Sequence, residues 1–159
     1  MRRLLMAALV ATVATMLAAS AAFAAEPHFI SASATGPDAS GNLAVNFKIA
    51  GLGDNQTLTV TASADATAVY ACQNNGGNFP KDPKKTTVSG PVSASGDFTS
   101  GKNGQITGSL TLSPPATTLT CPSGQHVVLV SVSYTNVQVS GGGDTAAIPG
   151  TFSRTFFNI

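Results

Sequence analysis

Apolar and polar residues alternate along most of the chain after residue 25. Between residues 58 and 72 the even positions are apolar, and the odd positions are mostly Thr, Ser and Asp. Alternation with a period of two is typical of a β-strand that buries one face and exposes the other. Because fifteen residues are many for one strand, we expect a bend or bulge near residues 63–66.

Six further segments have the same character, and turn-forming residues separate them. The predicted strands are residues 29–34, 43–50, 88–99, 105–112, 126–139 and 150–157. Residues 100–104 end in Asn103-Gly104, a pair that favours positive backbone angles, so we predict a hairpin there. Residues 140–144 contain three consecutive glycines, which predict a flexible loop before the last strand.

No segment after residue 25 has apolar residues at helical spacing, so helices are not expected. Seven or eight short strands favour an all-β fold, and we predict an immunoglobulin-like antiparallel β-sandwich with one disulfide. A small closed barrel is the alternative. The chain has no Trp, whereas antibody-type domains pack one against their disulfide. The prediction therefore concerns the architecture rather than membership of that family.

The N-terminus has the three parts of a signal peptide. Arg2 and Arg3 precede an apolar run over residues 4–17, and the small residues Ala22 and Ala24 suit cleavage after Ala24. We therefore expect a signal peptide at residues 1–24 and a single secreted domain at residues 25–159, extracellular or, in a host with an outer membrane, periplasmic. A retained membrane anchor is the alternative, but many Ala and Thr residues lower its hydrophobicity. The C-terminus has no hydrophobic tail, so we expect no stable membrane anchor.

Two cysteines, Cys72 and Cys121, remain after this cleavage. In an oxidising compartment two cysteines normally pair, so we predict a disulfide between them. The predicted mature chain has six Lys and Arg residues against seven Asp and Glu residues. A nearly neutral domain does not attract phosphate backbones, so we expect no nucleic-acid partner.

The stretch from residue 69 to residue 139 resembles a set of uncharacterised secreted bacterial proteins. The matching segments are residues 70–78, 101–112, 121–125 and 132–137. This resemblance implies a secreted, disulfide-linked β domain without an assigned activity, although residues 81–85 are more charged than that pattern. Residues 51–60 and the final Phe-containing strand are also similar to the neocarzinostatin-type carriers. That likeness implies a chromophore-binding cleft, but those carriers have two disulfides and this chain can form one.

Candidate catalytic and metal-binding residues are few. His28 and His126 are the only histidines, and no serine lies in the Gly-x-Ser-x-Gly turn that exposes a nucleophile. Asp97 begins a stretch similar to a calcium loop, but the later acidic ligands are missing. No glycine-rich segment has phosphate-binding spacing. We therefore predict a non-enzymatic protein without a cofactor or a metal.

Residues 74–85 are the candidate binding loop, because they directly follow Cys72 and combine irregular backbone with polar and aromatic side chains. The residues that we assign to this loop are Asn74, Asn75, Asn78, Phe79, Lys81, Lys84 and Lys85. A disulfide beside the loop lowers the entropy that is lost on binding. The alternative is that Phe79 packs over the end of a sheet and the lysines only keep the loop soluble.

We predict from these features a binding or structural module whose contact surface is formed by the loops around Cys72 and Cys121. The ligand is unknown, and the expected partner is a surface protein or a glycan. A small-ligand carrier with an apolar cleft between the sheets is the alternative function.

Overall fold

The structure is a computed structural model that describes residues 26–159. The predicted signal peptide, residues 1–24, lies outside the described residues. The described part forms eight β-strands and no helix. The strands are β1 (His28–Thr35), β2 (Leu43–Ala50), β3 (Thr57–Asn74), β4 (Lys85–Thr99), β5 (Ile106–Leu112), β6 (Gln125–Gly141), β7 (Asp144–Ile148) and β8 (Phe152–Thr155). Residues 26–159 accordingly contain no helical segment of the length and hydrophobicity needed to cross a membrane.

Two antiparallel sheets share these strands. The small sheet has the order β1-β2-β5, and the large sheet has the order β4-β3-β6-β7, with β8 also paired to β6. β7 pairs with the last residues of β6 and β8 pairs with its middle. The predicted all-β sandwich with one disulfide is confirmed. An immunoglobulin-like arrangement of the sheets stays a prediction.

Large side chains of the small sheet pack against small side chains of the large sheet. All of them belong to one hydrophobic cluster. The small sheet contributes Leu43, Val45, Phe47, Ile49, Ile106, Leu110 and Leu112. β3 contributes Ala62, Ala64, Ala66 and Ala68, which are at most 5% exposed. Burial of these apolar side chains is the main stabilising term, and the alanines let the two sheets approach closely.

The two sheets differ in length. β3 and β6 have 18 and 17 residues, whereas the strands of the small sheet have seven or eight. The small sheet therefore covers only part of β3 and β6. The irregular residues 113–124 lie against the remainder, because the Tyr70 hydroxyl donates to the Pro115 carbonyl oxygen at 2.8 Å and Cys121 is bonded to Cys72.

The predicted hairpin across residues 100–104 is wrong. β4 pairs with β3 in the large sheet, and β5 pairs with β2 in the small sheet, so this segment connects the two sheets. Ser100 is 4% exposed, and its hydroxyl donates to the carbonyl oxygen of Gly53 at 2.8 Å. That bond ties the end of β4 to the β2–β3 connection. Turn-forming residues specify a local reversal of the chain, but they do not specify which strands pair beyond it.

Residues 140–144 form a tight turn rather than the predicted flexible loop. β6 continues to Gly141 and β7 begins at Asp144. Gly142 and Gly143 between them have φ values of 63° and 84°. Two consecutive positive φ values are typical of a type I′ hairpin turn. The predicted last strand, residues 150–157, is shortened to β8, and β7 before it was not predicted.

A register shift is present at the predicted position, but the bulge lies in β6 and not in β3, whose pairing with β4 is continuous. The pairing of β3 with β6 shifts between Ser63 and Asp65. The extra residue lies in β6, where Asn136 and Val137 together oppose Ala64. Asn136 has a φ of 51°, a left-handed conformation that Asn tolerates better than most residues. The bulge keeps Val137 in the core and leaves Asn136 exposed on the outer face.

The buried Tyr134 of β6 joins the two sheets. Its side chain is 0% exposed, and its hydroxyl donates to the Gly41 carbonyl oxygen at 2.7 Å. The Leu112 carbonyl oxygen lies 3.4 Å from the same hydroxyl. Burial, with smaller contributions from Tyr70 and Asp38, raises the pKa of Tyr134. The large sheet is thereby bonded to the β1–β2 turn and to the end of β5.

Gly108 of β5 lies beneath two aromatic rings. Phe47 and Phe98 pack edge to face with their ring centroids 5.0 Å apart. A Cβ atom at position 108 would lie 2.6 Å from Phe98 and 2.7 Å from Phe47. The absence of a side chain at Gly108 therefore makes room for the aromatic pair that links β2 to β4.

Substitution of Gly108 tests this close packing. We expect Gly108→Ala to lower the free energy of unfolding by about 1–3 kcal/mol, because the methyl group displaces both rings. Gly90→Ala is the matched control, since Gly90 is also in a strand and a Cβ atom there would have no neighbour within 4 Å. We expect the control to leave stability unchanged or to raise it by up to about 1 kcal/mol. Urea denaturation measures both, and equal effects would contradict the packing described.

Substitution of Tyr134 tests the bond between the sheets. We expect Tyr134→Phe to lower the free energy of unfolding by about 1–3 kcal/mol near neutral pH, because a buried carbonyl loses its donor. Tyr70→Phe is the control, and we expect a smaller loss because the Tyr70 hydroxyl is only partly buried. Urea denaturation of the two variants and the unsubstituted protein gives the comparison.

The raised pKa of Tyr134 also predicts a pH dependence. The unfolded chain ionises this phenol near its ordinary pKa of about 10, whereas the folded protein retains the proton. The free energy of unfolding should therefore fall as pH rises above about 10. The free energy of unfolding of Tyr134→Phe should fall less steeply with pH between about pH 8 and about pH 11. Part of the fall that remains should come from Tyr70, because burial also raises the pKa of its hydroxyl. An unchanged slope would show that Tyr134 does not retain its proton in the fold.

Candidate functional site

The predicted disulfide is present and fixes one end of the sandwich. Cys72 and Cys121 are bonded, and their sequence separation is 49 residues. Cys72 lies near the end of β3 and is 0% exposed. Cys121 belongs to residues 113–124, which run beside the part of β3 that the small sheet does not cover. The bridge therefore attaches this segment to the large sheet.

Backbone hydrogen bonds close the loop that follows Cys72. The Cys72 N–H donates to the Lys84 carbonyl oxygen at 2.9 Å, and the Asn74 N–H donates to the Asn78 carbonyl oxygen at 2.9 Å. The buried Gln73 donates its amide to the Gly77 carbonyl oxygen at 2.9 Å. These bonds close the turn at residues 74–78 and tie Lys84 at the end of the loop to Cys72.

A second set of bonds joins this loop to the segment around Cys121. The Asn75 N–H donates to the Gly124 carbonyl oxygen at 3.1 Å. The Lys84 amine donates to the Thr120 carbonyl oxygen at 2.9 Å, and the Asn75 side chain lies 3.4 Å from His126 Nδ1. Residues 74–85 and 120–126 therefore form one surface, which we call the stapled end.

Phe79 packs against the protein instead of projecting from it. Its ring meets Phe157 edge to face, with the centroids 5.3 Å apart, and the side chain is half-buried. This contact supports the alternative interpretation of Phe79 as a packing residue. The predicted site residues that remain exposed are Asn75, Asn78, Lys81, Lys84 and Lys85, whereas Asn74 is half-buried.

The stapled end carries half of the basic residues of the domain. Lys81, Lys84 and Lys85 are three of the six Lys and Arg residues in the described chain, and Asp82 is the one acidic residue within 74–85. The rest of residues 26–159 has three basic and six acidic residues. An otherwise slightly acidic domain thus has one basic end.

The two histidines are on the surface. His28 Nδ1 lies 3.0 Å from the Glu26 carbonyl oxygen, and His126 is exposed beside Asn75. In the part of the chain that the structure describes, no three His, Cys, Asp or Glu side chains come close enough to hold a metal ion. The prediction that the protein has no cofactor or metal stays a prediction.

One group of polar residues on the outer face of the large sheet was not predicted from the sequence. Asn136 Nδ2 donates to Asp65 Oδ2 at 2.8 Å. Both residues line a depression in the surface, and Gln138 lines it as well. A signal for this group is present in the sequence. The apolar positions change from even numbers to odd numbers between Tyr134 and Val137, which is the mark of a bulge.

Comparisons with protein-family models, with curated protein sequences and with solved structures give no match. The geometry of the described residues therefore carries the functional argument.

Removal of the disulfide tests its role at the stapled end. On the chain-entropy model, a bridge that spans 49 residues stabilises the fold by about 4 kcal/mol. We expect the double variant Cys72→Ala/Cys121→Ala to lose about that much free energy of unfolding in urea. Hydrogen exchange at the Asn75 amide should accelerate more than exchange at Ala62 in the middle of the sheet. Uniform acceleration at both amides would indicate a purely global effect and no local restraint.

Proposed function

We propose that the chain is exported and acts as a non-enzymatic binding module that engages an acidic polysaccharide through the stapled end. The observation that carries the proposal is the bonding of two loops into one basic surface by the Cys72–Cys121 bridge and the Lys84–Thr120 contact. Export rests on the signal-peptide pattern of residues 1–24, and a formed disulfide is consistent with an oxidising compartment.

The stapled end suits binding because its backbone is ordered before a partner arrives. Its loops are closed by backbone hydrogen bonds and by the disulfide. Less conformational entropy is therefore lost on association than with a free loop. The exposed amides of Asn75 and Asn78 can donate to and accept from sugar hydroxyls.

The charge at this end favours an acidic partner. Lys81 and Lys85 are exposed, and ammonium groups bind carboxylate and sulfate oxygens by charge-assisted hydrogen bonds. Lys84 has a structural contact with Thr120, so Lys81 and Lys85 are the two amines that we assign to the partner. Such binding weakens as salt screens the charges.

Among the described residues, one depression large enough for a small ligand has a lining that does not suit a carrier. A depression of about 610 Å³ lies where β1 meets the β6–β7 turn. Its lining consists of Glu26, Pro27, His28, Gly142, Gly143 and Asp144. These residues include no large aliphatic or aromatic hydrocarbon side chain, whereas pockets for chromophore-sized ligands are mostly apolar. The binding module is therefore the function that we prefer.

Affinity chromatography and calorimetry test the proposal with two probes, heparin and polygalacturonate. We expect the exported protein to bind at least one of them, and Lys81→Ala/Lys85→Ala to weaken binding by about tenfold or more, because two charge-assisted bonds are lost. Lys48→Ala/Lys102→Ala removes the same charge elsewhere and should bind as the unsubstituted protein does. Equal weakening in both pairs would refute the stapled end as the contact surface. Failure of the unsubstituted protein to bind either polymer would refute an acidic polysaccharide as its partner.

A further inference from the structure

Hydroxyl side chains cover much of the outer face of the large sheet, and many of them bond to one another across the strands. Between β3 and β4 three hydroxyl pairs and one hydroxyl–carboxylate pair are hydrogen-bonded at distances of 2.6 to 3.0 Å. The pairs are Thr57–Thr99, Thr59–Asp97, Thr61–Ser95 and Thr67–Ser89. These bonds use part of the hydrogen-bonding capacity of the face, and a ligand there would have to compete with them.

The pattern is interrupted at the centre of the face. Asp65 pairs in register with Pro91 of β4, and a proline side chain has no polar atom. The carboxylate accepts instead from Asn136 at 2.8 Å, across the bulge in β6. A depression of about 250 Å³ lies at this point, and its lining is Ser63, Ala64, Asp65, Pro91, Asn136 and Gln138.

A second depression continues from the first on the other side of β6. It has a volume of about 280 Å³, and Asn136 and Gln138 line it as well. Ala147 and Pro149 are at its far side. The two depressions share Asn136 and Gln138 in their linings, and together, from Pro91 to Pro149, we call them the bulge groove.

We propose that the bulge groove binds a neutral saccharide, with Asp65, Asn136 and Gln138 bonding to its hydroxyl groups. Planar carboxylate and amide groups can engage two adjacent hydroxyls at once, because each has two polar atoms at fixed spacing. The bond between Asp65 and Asn136 holds two of these groups in place before a ligand arrives. The rings of Pro91 and Pro149 offer apolar surface for the C–H faces of sugar rings.

The size and charge of the groove favour a sugar over other ligands. Each depression is slightly smaller than the pockets of about 300 Å³ and above that hold drug-sized molecules, so each suits one sugar ring. Asp65 is the one carboxylate in the lining of either depression, which is fewer than a calcium site needs. Neither lining contains the aromatic or Arg anchors that dominate protein interfaces. The site goes beyond the function proposed for the stapled end and uses different residues.

Nuclear magnetic resonance titration of the isotope-labelled protein with xylohexaose, cellohexaose and chitohexaose tests this site. We expect at least one hexaose, at millimolar concentration, to shift the amide signals of Asp65, Asn136 and Gln138 in fast exchange. Asn136→Gly removes the side chain and keeps a residue that accepts the positive φ. This variant and Asp65→Ala should each weaken binding by about tenfold. If Asn136→Gly does not fold, Asp65→Ala still tests the site, because Asp65 is exposed.

Asp97→Ala is the matched control, because Asp97 is a second carboxylate on the same face and contacts Thr59 outside the groove. It should leave the affinity for the hexaose unchanged, and so should Lys81→Ala/Lys85→Ala, which separates this site from the stapled end. Absence of shifts with all three hexaoses would overturn the proposal. Shifts of the groove signals by calcium chloride with none by the sugars would replace it with a cation site. If the groove signals shift with protein concentration and not with added sugar, self-association would replace the proposed sugar site.

Discussion

The close approach of the two sheets over the alanines of β3 is the constraint on which the rest of the structure depends. β3 lies between β4 and β6, and its inward positions over residues 62–68 are all Ala, opposite Leu, Val, Phe and Ile of the small sheet. Small side chains packed against large ones keep the core dense while the two sheets lie close together. That distance lets the Tyr134 hydroxyl reach the Gly41 carbonyl oxygen and lets Phe98 contact Phe47 over Gly108.

The same strand explains why the fold needs a disulfide. β3 has 18 residues, and the small sheet can cover only its first two thirds. Ala71 and Cys72 are buried but lie outside the main hydrophobic cluster. The segment 113–124 lies against Cys72, to which Cys121 is bonded, yet it has no strand pairing of its own. The bridge and the Tyr70–Pro115 bond hold it there, and in doing so they produce the ordered surface that we assign to binding.

Much of the fold could be predicted from the sequence, because alternation reports which face of each strand is buried. Seven of the eight strands, the register shift near residue 64 and the cysteine pair followed from residues close together in sequence or from the cysteine count, whereas β7 was not predicted. The partners of β4 and β5 could not be predicted, because a turn such as residues 100–104 has the same sequence pattern whether the flanking strands pair with each other or belong to different sheets. The Phe79–Phe157 contact joins distant parts of the chain, and no local pattern indicates it. Asp65 and Asn136, 71 residues apart, become one site only through the register of β3 with β6.

The two proposed surfaces have a common physical origin, which is that regular pairing satisfies polar groups and irregular structure leaves them available. Along the regular part of the large sheet, Thr and Ser hydroxyls bond across β3 and β4 to one another and, at Thr59, to the Asp97 carboxylate. At the bulge, Asp65 faces a proline and Asn136 is pushed outward. Beyond the end of the small sheet, the loop after Cys72 exposes amides and amines. The bulge and the stapled end are therefore the places where exposed polar side chains depart from cross-strand pairing between β3 and β4, and these are the surfaces that we assign to partners.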